Sequence, residues 1–376
     1  MIINFVHWQY STFPERFPKE SPGGAENAVW EIAKRVSKKH KVRIFCLGER
    51  NSTSKVEGIE FVRIQAPILL RSKWTRADYY FHTVMKQINS EAKKEKQVVH
   101  CVTCIEPAAF AGENVKLILN MHNEIKKYLP YPSIKRKYYE NKILRFNFVT
   151  GVSNFIIKSF LDYFSYSKNK TKTIYNGADF KMFNPKNSDK KGICKKHGLD
   201  SQKPLLYFGG RIIERKGLHL LIDAIEGLDV NLIVTGIGDR REKDQEYLSN
   251  ILVKVKDMKN IKFLGDVDIK ERGKILSSAD IAFCPSIWDD PSPLICYEAQ
   301  AAGTPIVVFK RGGMPELVEN GKTGIVCDEK TLRQNIIRLI NSTNKIKSMS
   351  KNSYKKARKE FDWDKVAEEY LKIYRQ

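Results

Sequence analysis

Two carboxylates, Asp290 and Glu298, lie with seven residues between them in a stretch that leads from an apolar run into a helix. Carboxylates accept hydrogen bonds from hydroxyl groups, including those of ribose and hexose. A ligand that carries both hydroxyls and phosphate, such as a nucleotide sugar, would explain acids placed beside a helix start. An ordinary capped helix with two surface acids explains the stretch equally well.

The helix of this stretch has a clear predicted start. Ser292 suits the N-cap and Pro293 the first helical position, where the N–H that proline lacks would have no partner anyway. Residues 303–305, Gly-Thr-Pro, end the helix. The backbone N–H groups of Leu294 and Ile295 would then be available to a phosphate, which helix N-termini attract.

A glycine turn with two cations forms a second candidate phosphate site. The predicted strand 204–209 reaches a glycine pair, and Arg211 and Lys216 follow before a predicted helix. Arginine binds phosphate as a planar fork and lysine as a point charge, so the turn fits a diphosphate. A second glycine turn, with Gly236 and Gly238, follows the next predicted strand. Two solvated cations on a loop explain the first turn about as well.

The first half of the chain carries two further candidates. Gly23 and Gly24 stand between a loop and a predicted helix, where glycines would let an anionic group approach the backbone. His122 follows the predicted strand 116–121. Ligands of open parallel sheets bind at the carboxyl ends of strands, so this histidine is a candidate site residue. A capping or core histidine is the alternative.

The bulk composition is that of a folded, two-domain protein. Apolar residues make up 42% of 376, which excludes a disordered chain. The start has no basic region and no apolar run reaches membrane-spanning length, so we expect a cytoplasmic protein. The seven cysteines form no framework. The single C-x-x-C at 101–104 has no second pair, so we expect reduced, buried thiols and no zinc site.

A formal charge of +23 calls for an anionic partner. Nucleic acid, an anionic membrane and a phosphorylated substrate all fit this sign. Basic residues alternate with aromatic ones through residues 125–148. This mixture suits contact with a membrane surface, which would make the protein peripheral on the inner face of the membrane. It also suits nucleic acid, and a plain solvated helix face remains an equal alternative.

Strands and helices alternate through both halves of the chain. This alternation predicts an α/β fold of two doubly wound domains, each with a parallel sheet covered on both faces, with a cleft between them. The polar, basic run at 184–198 marks the boundary, which gives domains 1–185 and 186–360. Apolar residues recur at helical spacing in residues 361–376, which predicts a packed final helix.

These pieces resemble, in order, the nucleotide-sugar glycosyltransferases of family 4, which have the two-domain fold called GT-B, with two Rossmann-like domains. The motifs that carry the resemblance are G-G-A-E at 23–26, His122, G-V-S-N at 151–154, Y-N-G-A-D at 175–179, G-G-R with K-G at 209–217, G-I-G at 236–238 and the acid pair at 290–298. The resemblance covers nearly the whole chain, and as a set the motifs are highly specific.

The resemblance implies roles in the second domain, which would bind the donor. Arg211 and Lys216 would hold the diphosphate and stabilise the charge that develops on the leaving nucleotide. Glu298 would bind the ribose hydroxyls, and Asp290 those of the donor sugar. The remaining contacts would come from backbone groups: the N–H groups of Leu294 and Ile295 at the phosphates, and Gly236 and Gly238 beside the nucleotide.

The first domain would face the acceptor and be completed by helix 361–376. There the resemblance implies that Gly23 and Gly24 approach the donor and that His122 contacts its sugar near the reacting carbon, without acting as a nucleophile. It also implies retention of anomeric configuration, no metal or other cofactor, and a glycan, lipid-linked or small-molecule acceptor, as in polysaccharide biosynthesis. Domain closure would exclude water from the reaction.

Two positions depart from the family pattern. Asp290 stands where most relatives have Glu, so either the sugar lies nearer this loop or the donor preference differs. Pro293 replaces a common Gly and removes one possible phosphate-binding N–H. An epimerase of nucleotide sugars on the same fold is the main alternative, although no additional acid or base group can be identified for it. A protein that only binds nucleic acid or anionic membrane is a weaker one, since it gives no reason for the motif set.

Overall fold

The computed structural model describes residues 1–10, 23–67, 73–124, 136–239 and 241–376, with no description of the side chains of residues 8–10, 73, 74 and 136. The chain divides into two compact units. The first contains Met1–Tyr175 together with Trp363–Gln376, and the second contains Asn176–Asp362. The first eleven residues of the predicted basic aromatic segment, 125–135, lie outside the described residues.

The division at Tyr175 falls before the boundary expected at residue 185. The run that suggested a linker, 184–198, contains a helix at Lys190–Lys196 instead. Its first turn is capped by the Asp189 side chain, and Ile193 and Cys194 are buried. Because only these two residues of the short helix are apolar and buried, its polar composition concealed the helical period.

The first unit is built on an eight-stranded sheet with the strand order β3-β4-β2-β1-β5-β6-β7-β8. All neighbouring strands are parallel except β3 and β4. The strands are β1 (Ile2–Tyr10), β2 (Lys41–Leu47), β3 (Ser52–Val56), β4 (Ile59–Ile64), β5 (Gln97–Val102), β6 (Val115–Met121), β7 (Phe148–Gly151) and β8 (Thr171–Thr173). Strand β3 was not predicted, because it is a short polar edge strand whose residues are all at least partly exposed.

Helices cover both faces of this sheet. Within the chain up to residue 175 they are α1 (Gly24–Val36), α2 (Lys73–Ala92), α3 (Pro107–Phe110), α4 (Arg136–Ile143) and α5 (Asn154–Tyr163). Apolar residues of α2, α3, α4 and α5 pack into one buried cluster, and those of α1 pack into a second cluster. Burial on both sides explains why the central strands are nearly continuous apolar runs.

The second unit has a six-stranded, wholly parallel sheet with the order β11-β10-β9-β12-β13-β14. Its strands are β9 (Leu205–Gly209), β10 (Asn231–Thr235), β11 (Ile261–Phe263), β12 (Ile281–Cys284), β13 (Ile306–Phe309) and β14 (Gly324–Cys327). In sequence terms the order is 3-2-1-4-5-6, the doubly wound dinucleotide-binding order, with its switch point between β9 and β12.

The helices of the second unit are α6 (Lys190–Lys196), α7 (Leu218–Ile225), α8 (Glu242–Lys254), α9 (Ile269–Ser278), α10 (Leu294–Ala301), α11 (Met314–Leu317), α12 (Leu332–Ile340) and α13 (Thr343–Glu360). The last helix, α14 (Trp363–Arg375), belongs to the first unit. Its buried face, which includes Trp363, Val366, Tyr370 and Tyr374, joins the cluster that α1 also lines. Among the described helices, none is long and apolar enough to cross a bilayer.

Candidate functional site

The switch point of the second sheet collects the predicted phosphate-binding residues. Strands β9 and β12 are neighbours, with Phe208 opposite Phe283. At their carboxyl ends, β9 leads into the turn with Arg211 and Lys216, and β12 leads into the acidic turn with Asp290. Open α/β sheets bind ligands in the crevice at such points, so the topology places both candidate turns where a ligand is expected to bind.

These two turns are in direct contact. The backbone N–H of Ile287 donates to the carbonyl of Arg215 at 3.0 Å. Gly217 has φ +72°, and a Cβ there would lie 2.0 Å from the carbonyl oxygen of Pro285. Only glycine permits this approach, because any larger residue would clash and would also be strained at that φ. The K-G pair thus fixes Lys216 against the acidic turn.

Lys216 and Asp290 form an ion pair, with Nζ and Oδ2 at 2.5 Å. The Asp290 side chain is buried, at 7% exposure, and the Lys216 side chain is 18% exposed. Charge-assisted hydrogen bonds in such partly dry sites are stronger than in water. The pair joins the two predicted site residues that come from different turns, and it holds the lysine at the switch point.

A further glycine pair supports the acidic turn. After β13, the N–H of Gly312 donates to Asp289 Oδ1 at 3.1 Å, and the N–H of Gly313 donates to the Asp290 carbonyl at 2.9 Å. Gly312 has φ +54°, and a Cβ there would lie 2.5 Å from the Asp290 carbonyl oxygen. These glycines were not among the predicted site residues, because their partner turn lies more than twenty residues earlier in the chain.

Helix α10 starts later than predicted. Its first residue is Leu294, with Pro293 at the N-cap position and no capping side chain. The prediction that Ser292 caps the helix is therefore wrong. Its hydroxyl is engaged by two side chains instead: it bonds the Tyr297 hydroxyl at 2.5 Å and accepts from Asn176 Nδ2 at 3.3 Å. Leu294 and Ile295 occupy the first turn, where N–H groups have no intrahelical acceptor.

The end of α10 follows the prediction. Gly303 has φ +72°, its N–H bonds the Gln300 carbonyl, and the Thr304 N–H bonds the Ala299 carbonyl. These two bonds make a Schellman motif, which a left-handed glycine commonly forms. The helix therefore ends where predicted and presents Glu298 from its second turn.

Glu298 is buried and paired. Its Oε1 accepts from the Arg272 guanidinium at 3.1 Å. Burial raises the pKa of the Glu298 carboxyl, and Arg272 lowers it in part. In turn, Glu298 is the main cause that raises the pKa of Arg272. Sequence reasoning missed Arg272, since it lies on α9 without a local motif. Its guanidinium fixes one oxygen of the carboxylate, which leaves the other as an acceptor.

Cations surround the turn after β9. Arg211 is half exposed and bonds Asp239 Oδ2 at 3.2 Å. The Arg215 guanidinium stacks 4.4 Å from the centroid of the Trp288 ring. The pKa of Arg215 is lowered by burial and by the neighbouring Arg211 and Arg241. Such a concentration of positive charge favours an anionic ligand. Arg215 was not among the predicted site residues.

The G-I-G turn packs directly on this loop. Gly236 has φ +123°, and a Cβ there would lie 1.8 Å from the Gly210 carbonyl oxygen. The N–H of Ile212 donates to the Ile237 carbonyl at 2.9 Å. A Cβ at Gly238 would contact the side chains of α8. Both glycines therefore lie beside the Arg211 turn at the carboxyl end of β10.

In the first unit, Gly23 is the N-cap residue of α1 and Gly24 its first residue, as predicted. The Glu26 carboxylate folds back over this helix start. It lies so near that a Cβ on Gly23 would be 2.4 Å from Glu26 Oε2. The pKa of His7 is lowered by burial and raised in part by Glu26. His7 is in turn one of the groups that act on His122.

His122 follows β6 and is buried, at 8% exposure. Its Nε2 lies 2.6 Å from Asn120 Oδ1, and its backbone N–H donates to Thr103 Oγ1 at 3.1 Å. Burial, and then the neighbouring His100 and His7, lower the pKa of His122 to about 3. The ring is thus neutral at pH 7, which suits hydrogen bonding to a sugar better than proton transfer.

The cysteines carry no metal-binding pattern in the described residues. All seven are free and buried, as predicted. Within the ranges described, no three histidine, cysteine or acidic side chains come together in a way that would hold a metal ion.

Two family models match the chain in succession. Residues 22–181 match the model described as Glycosyltransferase Family 4. Residues 189–358 match the model described as glycosyl transferases group 1. The first match includes Gly23, Gly24 and His122, and the second includes the residues collected at the switch point of the second sheet.

Among curated relatives, spore coat protein SA of Bacillus subtilis is 28% identical and covers 96% of this chain and 97% of its own length. The alpha-maltose-1-phosphate synthase of Mycobacterium tuberculosis is 28% identical over 63% of this chain and 65% of its own. The putative glycosyltransferase YtcC of Bacillus subtilis is 28% identical over 70% of this chain and 68% of its own length.

Solved structures establish the fold class that the sequence predicted. HepE of Anabaena in complex with UDP superimposes with a TM-score of 0.79, at 19% identity and 99% coverage of both chains. Sucrose-phosphate synthase of Thermosynechococcus elongatus gives 0.77 at 18% identity, with 100% and 98% coverage. The fold is therefore GT-B, with two Rossmann-like domains.

Proposed function

This chain belongs to glycosyltransferase family 4 and is a glycosyltransferase, and from that premise we propose that it transfers a hexose from a UDP- or GDP-sugar to a hydroxyl acceptor with retention of configuration. The observation that carries the proposal is the set of groups at the carboxyl ends of β9 and β12. Lys216, Arg211 and the first turn of α10 supply positive charge, while Asp290 and Glu298 supply acceptors for hydroxyls.

The proposed chemistry uses these groups for the leaving nucleotide. The bond between the sugar C1 and the phosphate oxygen breaks, a bond from C1 to the acceptor oxygen forms, and the acceptor proton moves to the departing phosphate. Negative charge grows on the diphosphate as it leaves, so cations placed there stabilise the transition state more than the ground state. Neither a nucleophile of the chain nor a metal ion takes part in this route.

The ion pair between Lys216 and Asp290 suggests that the two side chains exchange partners when the donor binds. A diphosphate would replace Asp290 as the partner of Lys216. The released carboxylate would then accept hydrogen bonds from the donor sugar, as the resemblance implies for this position. The shorter side chain of Asp290, compared with the usual Glu, would draw that sugar closer to the turn. His122 would contact the sugar as a neutral ring.

The nature of the donor is supported by the fold relatives. HepE of Anabaena was solved with UDP and also with UDP-glucose. Glu298 fits a ribose, since its carboxylate is held by Arg272 and one oxygen remains to accept from a hydroxyl. The G-I-G turn, with Gly236 and Gly238, would lie beside the base.

A nucleotide screen tests the donor. Titration of UDP, GDP, ADP and their hexose derivatives, followed by thermal unfolding, should single out one base. At 100 times its dissociation constant, that nucleotide adds about 2.7 kcal/mol to the free energy of unfolding. The Glu298→Gln variant should lose most of this shift. Equal, negligible shifts with all nucleotides would contradict the proposal, and an epimerised donor formed without acceptor would replace transfer by isomerisation.

For the acceptor we propose a glycan or lipid-linked sugar presented at the inner face of an anionic membrane, within polysaccharide biosynthesis. The support is α4, which exposes Lys137 and Tyr138, the latter by 54%, and is followed by Leu144, exposed by 62%. Exposed aromatic and basic side chains side by side are typical of membrane interfaces.

Co-sedimentation with vesicles tests this contact. Wild-type protein should bind vesicles that contain anionic lipid, and binding should weaken with salt. The double variant Lys137→Glu, Tyr138→Ser should bind at least several-fold less, because each basic residue contributes about 1 kcal/mol near such a surface. Lys94→Glu, an exposed lysine elsewhere in the same unit, is the control. Equal binding of both variants and wild type would exclude α4 as the contact.

A further inference from the structure

A chain of buried hydrogen bonds connects His122 to the C-terminal helix α14. Asn120, on β6, is 1% exposed. Its Oδ1 lies 2.6 Å from His122 Nε2, and its Nδ2 donates to the Tyr370 hydroxyl at 2.8 Å. Nδ2 also donates to Thr150 Oγ1 at 3.1 Å. One amide therefore links the candidate site residue to a side chain 250 positions later in the sequence.

The arrangement of these bonds determines the orientation of the amide. A carboxamide nitrogen has two N–H donors and its oxygen is only an acceptor. Tyr370 and Thr150 engage both donors of Nδ2. The Thr150 hydroxyl donates its own proton to the Leu119 carbonyl at 3.3 Å, so it accepts from the amide nitrogen, and the amide oxygen is directed to His122. An acceptor oxygen at 2.6 Å requires that His122 Nε2 carries its proton. Nδ1 is then unprotonated and presents a lone pair.

The environment maintains this single tautomer. The His122 ring is neutral at pH 7 because burial lowers its pKa to about 3. The neighbouring His100 shares the buried network, with its Nδ1 2.6 Å from the Tyr374 hydroxyl, also on α14. Both tyrosines are buried, at 2% and 0% exposure. Helix α14 thus contributes two hydroxyls to the interior behind His122.

We propose that Asn120 and Tyr370 are positioning residues for the transfer reaction. Together they hold His122 in the Nε2–H tautomer, so that Nδ1 accepts a hydrogen bond from a hydroxyl of the donor sugar. This role rests on the proposed function, in which His122 contacts that sugar. Helix α14 therefore orients His122 through Tyr370, in addition to covering the sheet of the first unit.

The test compares Tyr370→Phe with Tyr166→Phe. Tyr166 lies in the same unit and donates its hydroxyl to the Phe146 carbonyl at 2.8 Å, away from the network. Without the Tyr370 hydroxyl, the Asn120 amide can rotate and offer its N–H to His122. We expect kcat of Tyr370→Phe to fall roughly ten-fold, the rate equivalent of one hydrogen bond, and kcat of Tyr166→Phe to stay within two-fold of wild type.

A spectroscopic readout separates positioning from stability. With histidine labelled with ¹⁵N, the His122 signals of the wild type should show a protonated Nε2 and an unprotonated Nδ1. Tyr370→Phe should show a mixture of tautomers, whereas Tyr166→Phe should match the wild type. Asn120→Asp, which keeps an acceptor oxygen, should retain the Nε2–H tautomer, and Asn120→Leu should lose it. This pair decides the question even if Tyr370→Phe does not fold.

Each outcome is decisive. An active wild type in which Tyr370→Phe and Asn120→Leu leave both kcat and the His122 tautomer unchanged overturns the inference while the proposed function stands. A folded wild type without transfer from any nucleotide sugar overturns the proposed function, and the positioning role falls with it. A tautomer change together with a ten-fold loss of kcat in Tyr370→Phe alone supports both.

Discussion

Replacing Lys216 by alanine should lower kcat by about 10²- to 10³-fold, the cost of removing one group that stabilises developing charge in an enzyme site. The lysine is the less exposed of the two predicted diphosphate cations, at 18% exposure, and Gly217 fixes it beside the acidic turn. In the proposed reaction the charge on the diphosphate is largest in the transition state. Loss of the ammonium should therefore reduce kcat more than it raises KM for the donor.

Arg211→Ala should have an effect of the same kind without loss of stability, because the Arg211 side chain is 52% exposed. Arg358→Ala is the matched control. It is 53% exposed, and its guanidinium pairs with Asp362 at 3.5 Å. Initial rates at saturating donor and acceptor, with thermal unfolding of each variant, measure both effects. If Lys216→Ala and Arg211→Ala both transfer at wild-type rates, the assigned diphosphate site is wrong.

Acidification from pH 7 to pH 5 should lower the free energy of unfolding of the first unit by about 4 kcal/mol through two histidines. Burial lowers the pKa of His100 to about 4 and that of His122 to about 3. Both rings stay neutral in the folded state, while in the unfolded chain they bind protons below their ordinary value of 6.5. Their contribution is therefore complete above pH 6.5 and is lost as the pH falls below it.

Urea unfolding at pH 7, 6 and 5 measures this loss. His122→Asn should remove about half of the pH dependence, because asparagine does not titrate, and His100→Asn should remove a similar part. The comparison of slopes isolates the histidines from the carboxylates, which are the same in all variants. A wild-type slope retained in His122→Asn would show that the ring is already charged in the folded protein.

Candidate residues that belong to a single turn could be identified from the sequence. The glycines at 23–24 and at 236–238, the Arg211 turn and the Asp290 turn were all located from local spacing. Their neighbours in space were not. Arg272, which holds Glu298, comes from a separate helix, and Gly312, which supports the acidic turn, comes from another strand end. Single-sequence patterns contain no record of such long-range pairs.

The misplaced elements have local causes. Strand β3, at a sheet edge, has only one apolar residue, Val56, and α6 conceals its period because it buries only Ile193 and Cys194. Helix α10 starts two residues after the predicted cap, because Ser292 bonds a side chain of the same helix instead. In each case a tertiary contact, or its absence, outweighed the propensity of the residue.

Membership of α14 in the first unit has a consequence for biosynthesis. The sheet face covered by α14 belongs to strands made early, yet Trp363 is separated from Tyr175 by the 187 residues of the second unit, 176–362. At about 5–20 residues per second, a ribosome needs roughly 10–40 s to make that stretch. During this time the apolar face that contains Phe5, Val98 and Ile118 is only partly buried. Chaperones that bind exposed apolar surface would bind the chain at this face.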